Sequence, residues 1–296
     1  MNTAAPAIEF RDVSVGFDGV PALQRVSFVL PPGGMICITG DSQSGKSVLL
    51  RLAIGLLQPD EGEVWINGRD ISHWEETELL ALRGERMGMV FQDAALFTSQ
   101  SVYENAEYRM SERNCPEEES RRAVMEVLTF VGLQDELDKQ AEELSGGMKR
   151  RVEIARALVG WPSIMLFDEP TAGLDPINEY QVLDLIICAR DVHGISSLLV
   201  TKALHEIPYL ASHRAQQDAD GNSIIVTGDT AQATQLLLLE EGRIAFLGSP
   251  KEFSESDLPA VQHMLHPITD AIHDNPGVLE VDDPWDHSRH GKESLL

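Results

Sequence analysis

Two stretches of this chain, each placed by its flanks, carry residue types suited to nucleotide phosphates. Gly40-Asp41-Ser42-Gln43-Ser44-Gly45-Lys46-Ser47 follows a short apolar run, Met35–Thr39, and opens a helical pattern, Ser47–Leu57. This is GxxxxGK[ST], the P-loop pattern, in the strand–loop–helix setting it requires. Backbone N–H groups of such a loop wrap phosphate oxygens, helped by the positive end of the helix that follows. Lys46 would reach the terminal phosphates and the Ser47 hydroxyl would bind Mg2+, so Gly40 through Val48 form the candidate ATP-binding segment. Gln43 stands where many such loops have glycine, so the backbone there must accept a Cβ. The second stretch, Ser163-Ile164-Met165-Leu166-Phe167-Asp168-Glu169, is an apolar strand ending in two carboxylates. It would deliver Asp168 beside the magnesium, through a water, and Glu169 toward the γ-phosphate, to orient or deprotonate the attacking water. Apolar strands often end in Asp or Glu, and the pattern gains meaning only with the P-loop. Together the two make a nucleotide hydrolase using ATP and Mg2+.

A third stretch, Leu144-Ser145-Gly146-Gly147-Met148-Lys149-Arg150-Arg151-Val152, places a serine and two glycines at a helix start. The plain reading is a helix capped by Ser145. The functional reading is a second phosphate cradle. One P-loop already serves the phosphates, so a second cradle implies a site shared between two copies.

At this point the sequence resembles the ABC ATPases. Glu143–Leu158 is similar to their signature motif and lies just before the Asp168-Glu169 strand, as it does in the family. Phe17 matches the aromatic residue that stacks on adenine, and Phe91-Gln92 matches the glutamine loop that senses magnesium and contacts a permease. Ala172-Gly173-Leu174-Asp175 matches the D-loop at the dimer interface. The resemblance covers about Ile8 to Leu265. It implies that two copies bind two ATP molecules between Lys46 of one and Ser145–Gly147 of the other, with Gln92 joining Ser47 and Asp168 at the metal. Closure of the pair would drive attached membrane subunits between conformations.

One position departs from the family. Where a histidine usually contacts the γ-phosphate, this chain has Thr201-Lys202-Ala203-Leu204-His205. Lys202 can donate to a phosphate but is a permanent cation at neutral pH and cannot relay a proton as histidine does. It is therefore assigned with Glu169 to the catalytic pair. His205 either compensates from the next helical turn or is a surface residue.

The elements that must position these residues read as α/β. The expected fold is a RecA-like parallel sheet core with an N-terminal antiparallel β-subdomain and an inserted helical subdomain. Ile8–Ser14 and Val26–Leu30 read as strands around turn chemistry at Phe17–Pro21, and Ser196–Thr201 and Gln235–Leu239 as further strands. From about Glu75 to Gly160 the pattern is helical, with Glu117–Val131 closing at Gly132. The expected organisation is one ATPase domain over residues 1–265, with its helical part at about 93–160, and an acidic tail at 266–296. Arg214–Thr234, polar and rich in turn signals, forms an extra hairpin or a loop. The tail is expected to order only on a partner. Its histidines, with His263, His266, His273, His287 and His290 spaced irregularly among acids, read as solvated rather than as a metal site.

Bulk properties constrain the partners. In 296 residues there are 23 Lys and Arg against 48 Asp and Glu, a net charge of −25, which disfavours nucleic acid and anionic membrane surfaces. No run approaches the roughly 20 apolar residues of a membrane span. Cys37, Cys115 and Cys188 form no CxxC pair, which fits a reducing compartment. The chain is expected in the cytoplasm, held on the inner face of the cell membrane by an integral permease, with no insertion of its own. Met148 after the two glycines and the stretch Ala94–Asn105 resemble Mla/Mce-type ATPases, which move phospholipids. The alternatives are a small-solute importer or efflux ATPase, a non-transport member of the superfamily, and a regulatory subunit that binds ATP without turnover.

Overall fold

The computed structural model describes residues 5–92, 96–218, 223–228, 230 and 233–265. Strand β1 (Ile8–Phe17) turns at Asp18-Gly19 into β2 (Val20–Leu30), longer than the sequence pattern indicates because the polar half of each strand alternates less cleanly. On β1 the buried residues are Ile8 and Phe10, then Val13 and Val15. A pleat buries every second residue, so this change of parity needs an inserted residue. Asp12 supplies it, at φ 48, and Arg25 does the same on β2 at φ 50. The bulges keep both apolar faces inward, and Phe10 stacks on Phe28 at 4.7 Å between ring centroids.

After β3 (Met35–Gly40) the chain forms α1 (Lys46–Ala53), β4 (Glu61–Ile66), β5 (Arg69–Asp70) and α2 (Glu76–Arg86). Helix α1 stops earlier than the sequence pattern suggests, with Gly55 at φ 70 just beyond Ile54. Four antiparallel strands in the order β2-β1-β4-β5 make the N-terminal β-subdomain. Next come β6 (Met87–Val90) and three helices, α3 (Val102–Glu112), α4 (Glu117–Phe130) and α5 (Gly146–Leu158). β6 corrects the helical reading of 75–160. Its four residues are too few to show a period, and pairing with the strand Ile164–Asp168 decides its conformation. Helices α3, α4 and α5 pack on one another through Val102, Ala106, Val124, Val127, Leu128 and Val152.

The remaining elements are β7 (Ile164–Asp168), α6 (Pro176–Asp191), β8 (Ser196–Val200), α7 (Glu206–Ser212), β9 (His213–Gln217), β10 (Ser223–Thr227), β11 (Thr234–Glu240), β12 (Arg243–Gly248), α8 (Pro250–Ser254) and α9 (Pro259–Leu265). Six strands form the core sheet in the order β12-β11-β3-β8-β7-β6, parallel except for the edge strand β12. β3, β7 and β8 are buried at every position, as strands covered on both faces must be. The chain is thus α/β with a mostly parallel sheet and an antiparallel β-subdomain. Within Arg214–Thr234 the structure adopts the hairpin alternative, β9 with β10. The tail, residues 266–296, lies outside the described residues with His266, His273, His287 and His290, while His263 belongs to α9.

One buried cation fixes how α6 meets its neighbours. The Arg190 guanidinium pairs with Asp191 at 2.6 Å and donates to the carbonyls of Leu210 and His213 and to Thr234 Oγ1 at 3.0, 3.0 and 2.9 Å. It therefore ties α6 to α7, β9 and β11. Replacing it with methionine removes four anchors at once, so Arg190→Met is expected to cost about 3–5 kcal/mol in urea unfolding. A cost under about 1 kcal/mol would show that packing alone holds α6.

Candidate functional site

The site lies where the parallel strands end. β3 ends at Gly40, β7 at Asp168 and β8 at Val200, and all three point the same way in adjacent positions. This edge, outside the carboxyl ends of strands, is where open α/β sheets place ligands.

The P-loop is bent by three residues at positive φ: Gly40 at 143, Gln43 at 73 and Gly45 at 102. A Cβ on Gly40 would stand 2.1 Å from the Leu239 carbonyl oxygen, and one on Gly45 2.6 Å from that of Ala22. Those two glycines are therefore required by close approach of backbone. Gln43 occupies the left-handed region with a side chain, at a cost of roughly 1–2 kcal/mol. Lys46 Nζ donates to the Gly40 and Asp41 carbonyls at 2.7 and 2.5 Å and to Ser44 Oγ at 3.2 Å. Burial pulls its pKa down, and the neighbouring Lys202 cation adds to that, while Glu169, Asp41 and Asp168 oppose it.

Burial likewise raises the Asp168 pKa, partly offset by a hydrogen bond with Ser47. Asp168 Oδ1 is buried without a hydrogen-bond partner. An orphan carboxylate oxygen beside a serine hydroxyl is a donor set suited to a hard cation, so Ser47 and Asp168 could hold Mg2+. Glu169 follows at φ 48, a strained conformation that turns its side chain off the strand line. One carboxylate oxygen, Oε1, pairs with Lys202 Nζ at 2.6 Å, and the other, Oε2, lies 3.5 Å from Gln92 Nε2. The structure thus brings Lys46, Ser47, Asp168, Glu169, Gln92 and Lys202 together. Phe17, at the tip of β1, is 45% exposed.

Ser145, Gly146 and Gly147 sit elsewhere, at the start of α5. Ser145 Oγ accepts from Met148 N at 3.3 Å, the expected N-cap. Ser145 and Gly146 are exposed, and Gly147 packs on α6, where a Cβ would meet Asn178 Oδ1 at 2.0 Å. Asn178 in turn donates to Asp175, the cap of α6, so signature turn and D-loop share one packed corner. His205, half exposed, pairs with Glu179 on α6.

Two groups escaped the sequence reading. Glu206, fully buried at the start of α7, accepts from the Thr171 hydroxyl and so links the end of the Lys202 turn to the turn after Glu169. Arg150, one of three successive basic residues after Met148, is buried. No period marks either one, because Thr171 for Glu206 and the Phe91 and Gln92 carbonyls for Arg150 are remote in sequence.

The family model described as ABC transporter matches residues 23–172. The chain belongs to the ABC transporter family. It is accordingly an ATPase whose hydrolysis is coupled to transport. Protein TRIGALACTOSYLDIACYLGLYCEROL 3, chloroplastic, of Arabidopsis thaliana is 38% identical over 272 residues, 88% of this chain and 74% of that protein. The methionine import ATP-binding protein MetN of Carboxydothermus hydrogenoformans is 39% identical over 199 residues, 67% of this chain and 59% of its own length. The chain therefore spans 59% to 74% of these two relatives. Among solved structures, the ABC transporter cassette MJ0796, in a dimeric form and in a post-hydrolysis form bound to ADP and Pi, superposes with a TM-score of 0.68 at 25% identity, over 82% of this chain and 98% of that one.

The strain at Gln43 gives a direct test of the loop geometry. Gln43→Gly is expected to raise stability by up to about 1 kcal/mol, read as a higher melting temperature, with ATP affinity kept. A lower melting temperature would mean that the glutamine side chain contributes more than the backbone strain costs.

Proposed function

We propose that this chain is the ATP-driven motor of a membrane transporter, working as a pair of identical subunits. The carrying observation is the convergence of Lys46, Asp168, Glu169 and Lys202 at the ends of three adjacent parallel strands.

In this reading Gly40–Val48 wraps the phosphates, Phe17 stacks on the base, and Lys46 exchanges its carbonyl partners for phosphate oxygens. Ser47, Asp168 and Gln92 would hold Mg2+, which when bound would supply charge neutralisation on the phosphates. Glu169 orients the attacking water and takes its proton. Both its oxygens face donors, Lys202 and Gln92, so Lys202 has to swing toward the γ-phosphate to free Oε1. Its side chain is 50% exposed, which leaves room for that movement. Ser145–Gly147 at the start of α5, with Ser145 and Gly146 exposed, would complete the phosphate shell of a second copy, an arrangement supported by the dimeric form of MJ0796. Among the described residues no helix is long and apolar enough to cross a membrane.

Two cargo readings remain, each with support. The Arabidopsis relative carries a glycolipid in its name and aligns over most of this chain, which favours a lipid, with Met148 and the 94–105 stretch. Residues 93–95 lie outside the described residues. The phospholipid expectation gains nothing from MetN, whose name and similar identity favour import of a small solute. Reconstitution with the cognate permease separates the two, because lipid vesicles or methionine, not both, would stimulate turnover.

Purified protein with ATP and Mg2+ tests the motor. Glu169→Gln should lower kcat by about a hundredfold or more while ATP binding persists. Lys202→His should turn over faster than wild type, since histidine neutralises no carboxylate permanently. Wild-type protein that binds ATP yet never hydrolyses it, even with permease, would mark an ATP-sensing subunit instead.

A further inference from the structure

We propose that Arg150, with Glu153 as its counter-ion, is a positioning residue that makes the start of α5 and the Gln92 segment move as one body. This deepens the motor reading and rests on it. The two side chains are 7% and 4% exposed and pair at 2.8 Å. A buried pair of this kind costs desolvation that apolar residues of equal volume avoid, so stability does not account for it. Its geometry does. One terminal nitrogen, Nη1, donates to the Phe91 carbonyl at 2.7 Å and to Glu153, and the other, Nη2, donates to the Gln92 carbonyl at 3.1 Å.

The links then run in one line. Ser145–Gly147 form the first turn of α5, and Arg150 follows in the next. Its planar fork grips two successive carbonyls of a segment that leaves the core sheet at Val90. Glu153, three residues on, fixes the plane of the fork. From the gripped backbone the Gln92 amide reaches within 3.5 Å of Glu169 Oε2. Any displacement of the signature turn, as when it meets the phosphate of a second copy, therefore shifts the group next to the catalytic carboxylate. A lysine could not replace this grip, because its compact ammonium does not match two parallel acceptors.

The test uses the full chain and two readouts. Arg150→Met with Glu153→Leu removes both charges while filling similar volume, so the melting temperature should stay near wild type. ATP affinity should hold within about twofold while kcat falls about tenfold at unchanged KM, the pattern of a lost transition-state contact. Amide exchange at Met89–Gln92 should rise in the same double variant, and Arg150→Lys should lie between. Unchanged exchange and kcat within about twofold of wild type would reduce the pair to a packing feature. If wild type shows no hydrolysis, the motor reading fails, and the exchange measurement, which needs no turnover, still decides the coupling.

Discussion

Ile38 on β3 stands opposite Val200 on β8, and Val200 stands opposite Asp168 on β7. That parallel register is the constraint on which the rest depends. It brings the P-loop, the carboxylate pair and the Lys202 turn to one edge, although more than a hundred residues separate the first from the others. A slip of one residue would point Asp168 to the other face of the sheet, since side chains alternate along a strand. Complete burial of the three strands opposes such a slip, because every side chain already has its place.

Around that edge the protein gathers charges of both signs. Lys46 and Lys202 face Asp41, Asp168 and Glu169, and burial works against Lys46 and Asp168 in their charged forms. A site of this kind is costly without its ligand and well matched to one, since a magnesium-bound triphosphate offers anions to the lysines and a cation to the aspartate. The left-handed backbone at Gln43 and Glu169 belongs to the same pattern, with local strain held by a rigid sheet and concentrated where chemistry is proposed.

The helical part shares one continuous buried cluster with the core, and two contacts at the start of α5 tie it to the site. Arg150 grips the exit of β6, and Gly147 rests on Asn178 beside the D-loop. Both contacts sit near the start of α5, the one part of that helix assigned to a ligand. The hairpin β9–β10, locked to α6 through Arg190 and Asp191, lies with the opposite end of that helix. It is an addition to the fold rather than a part of the site.

Much of the site was legible in the sequence because its parts are local. A P-loop is a contiguous octapeptide, its glycines are dictated by backbone approach, and a buried strand ending in Asp-Glu announces itself by hydrophobicity. The same holds for the Ser145 cap and for most elements of the sheet. The strand Met87–Val90 was not legible, since four residues carry no period and only pairing with β7 makes them extended. Nor was the role of His205, which depends on Glu179 one helix away, or the burial of Arg150 and Glu206, whose partners lie 58 and 35 residues distant. By itself the sequence determined which residues can meet a nucleotide, because that chemistry is written in short contiguous motifs. Only the tertiary structure decided that Lys202 pairs with Glu169 and that Arg150 holds the Gln92 backbone, because a side chain's partner is set by register and packing between segments far apart in the chain.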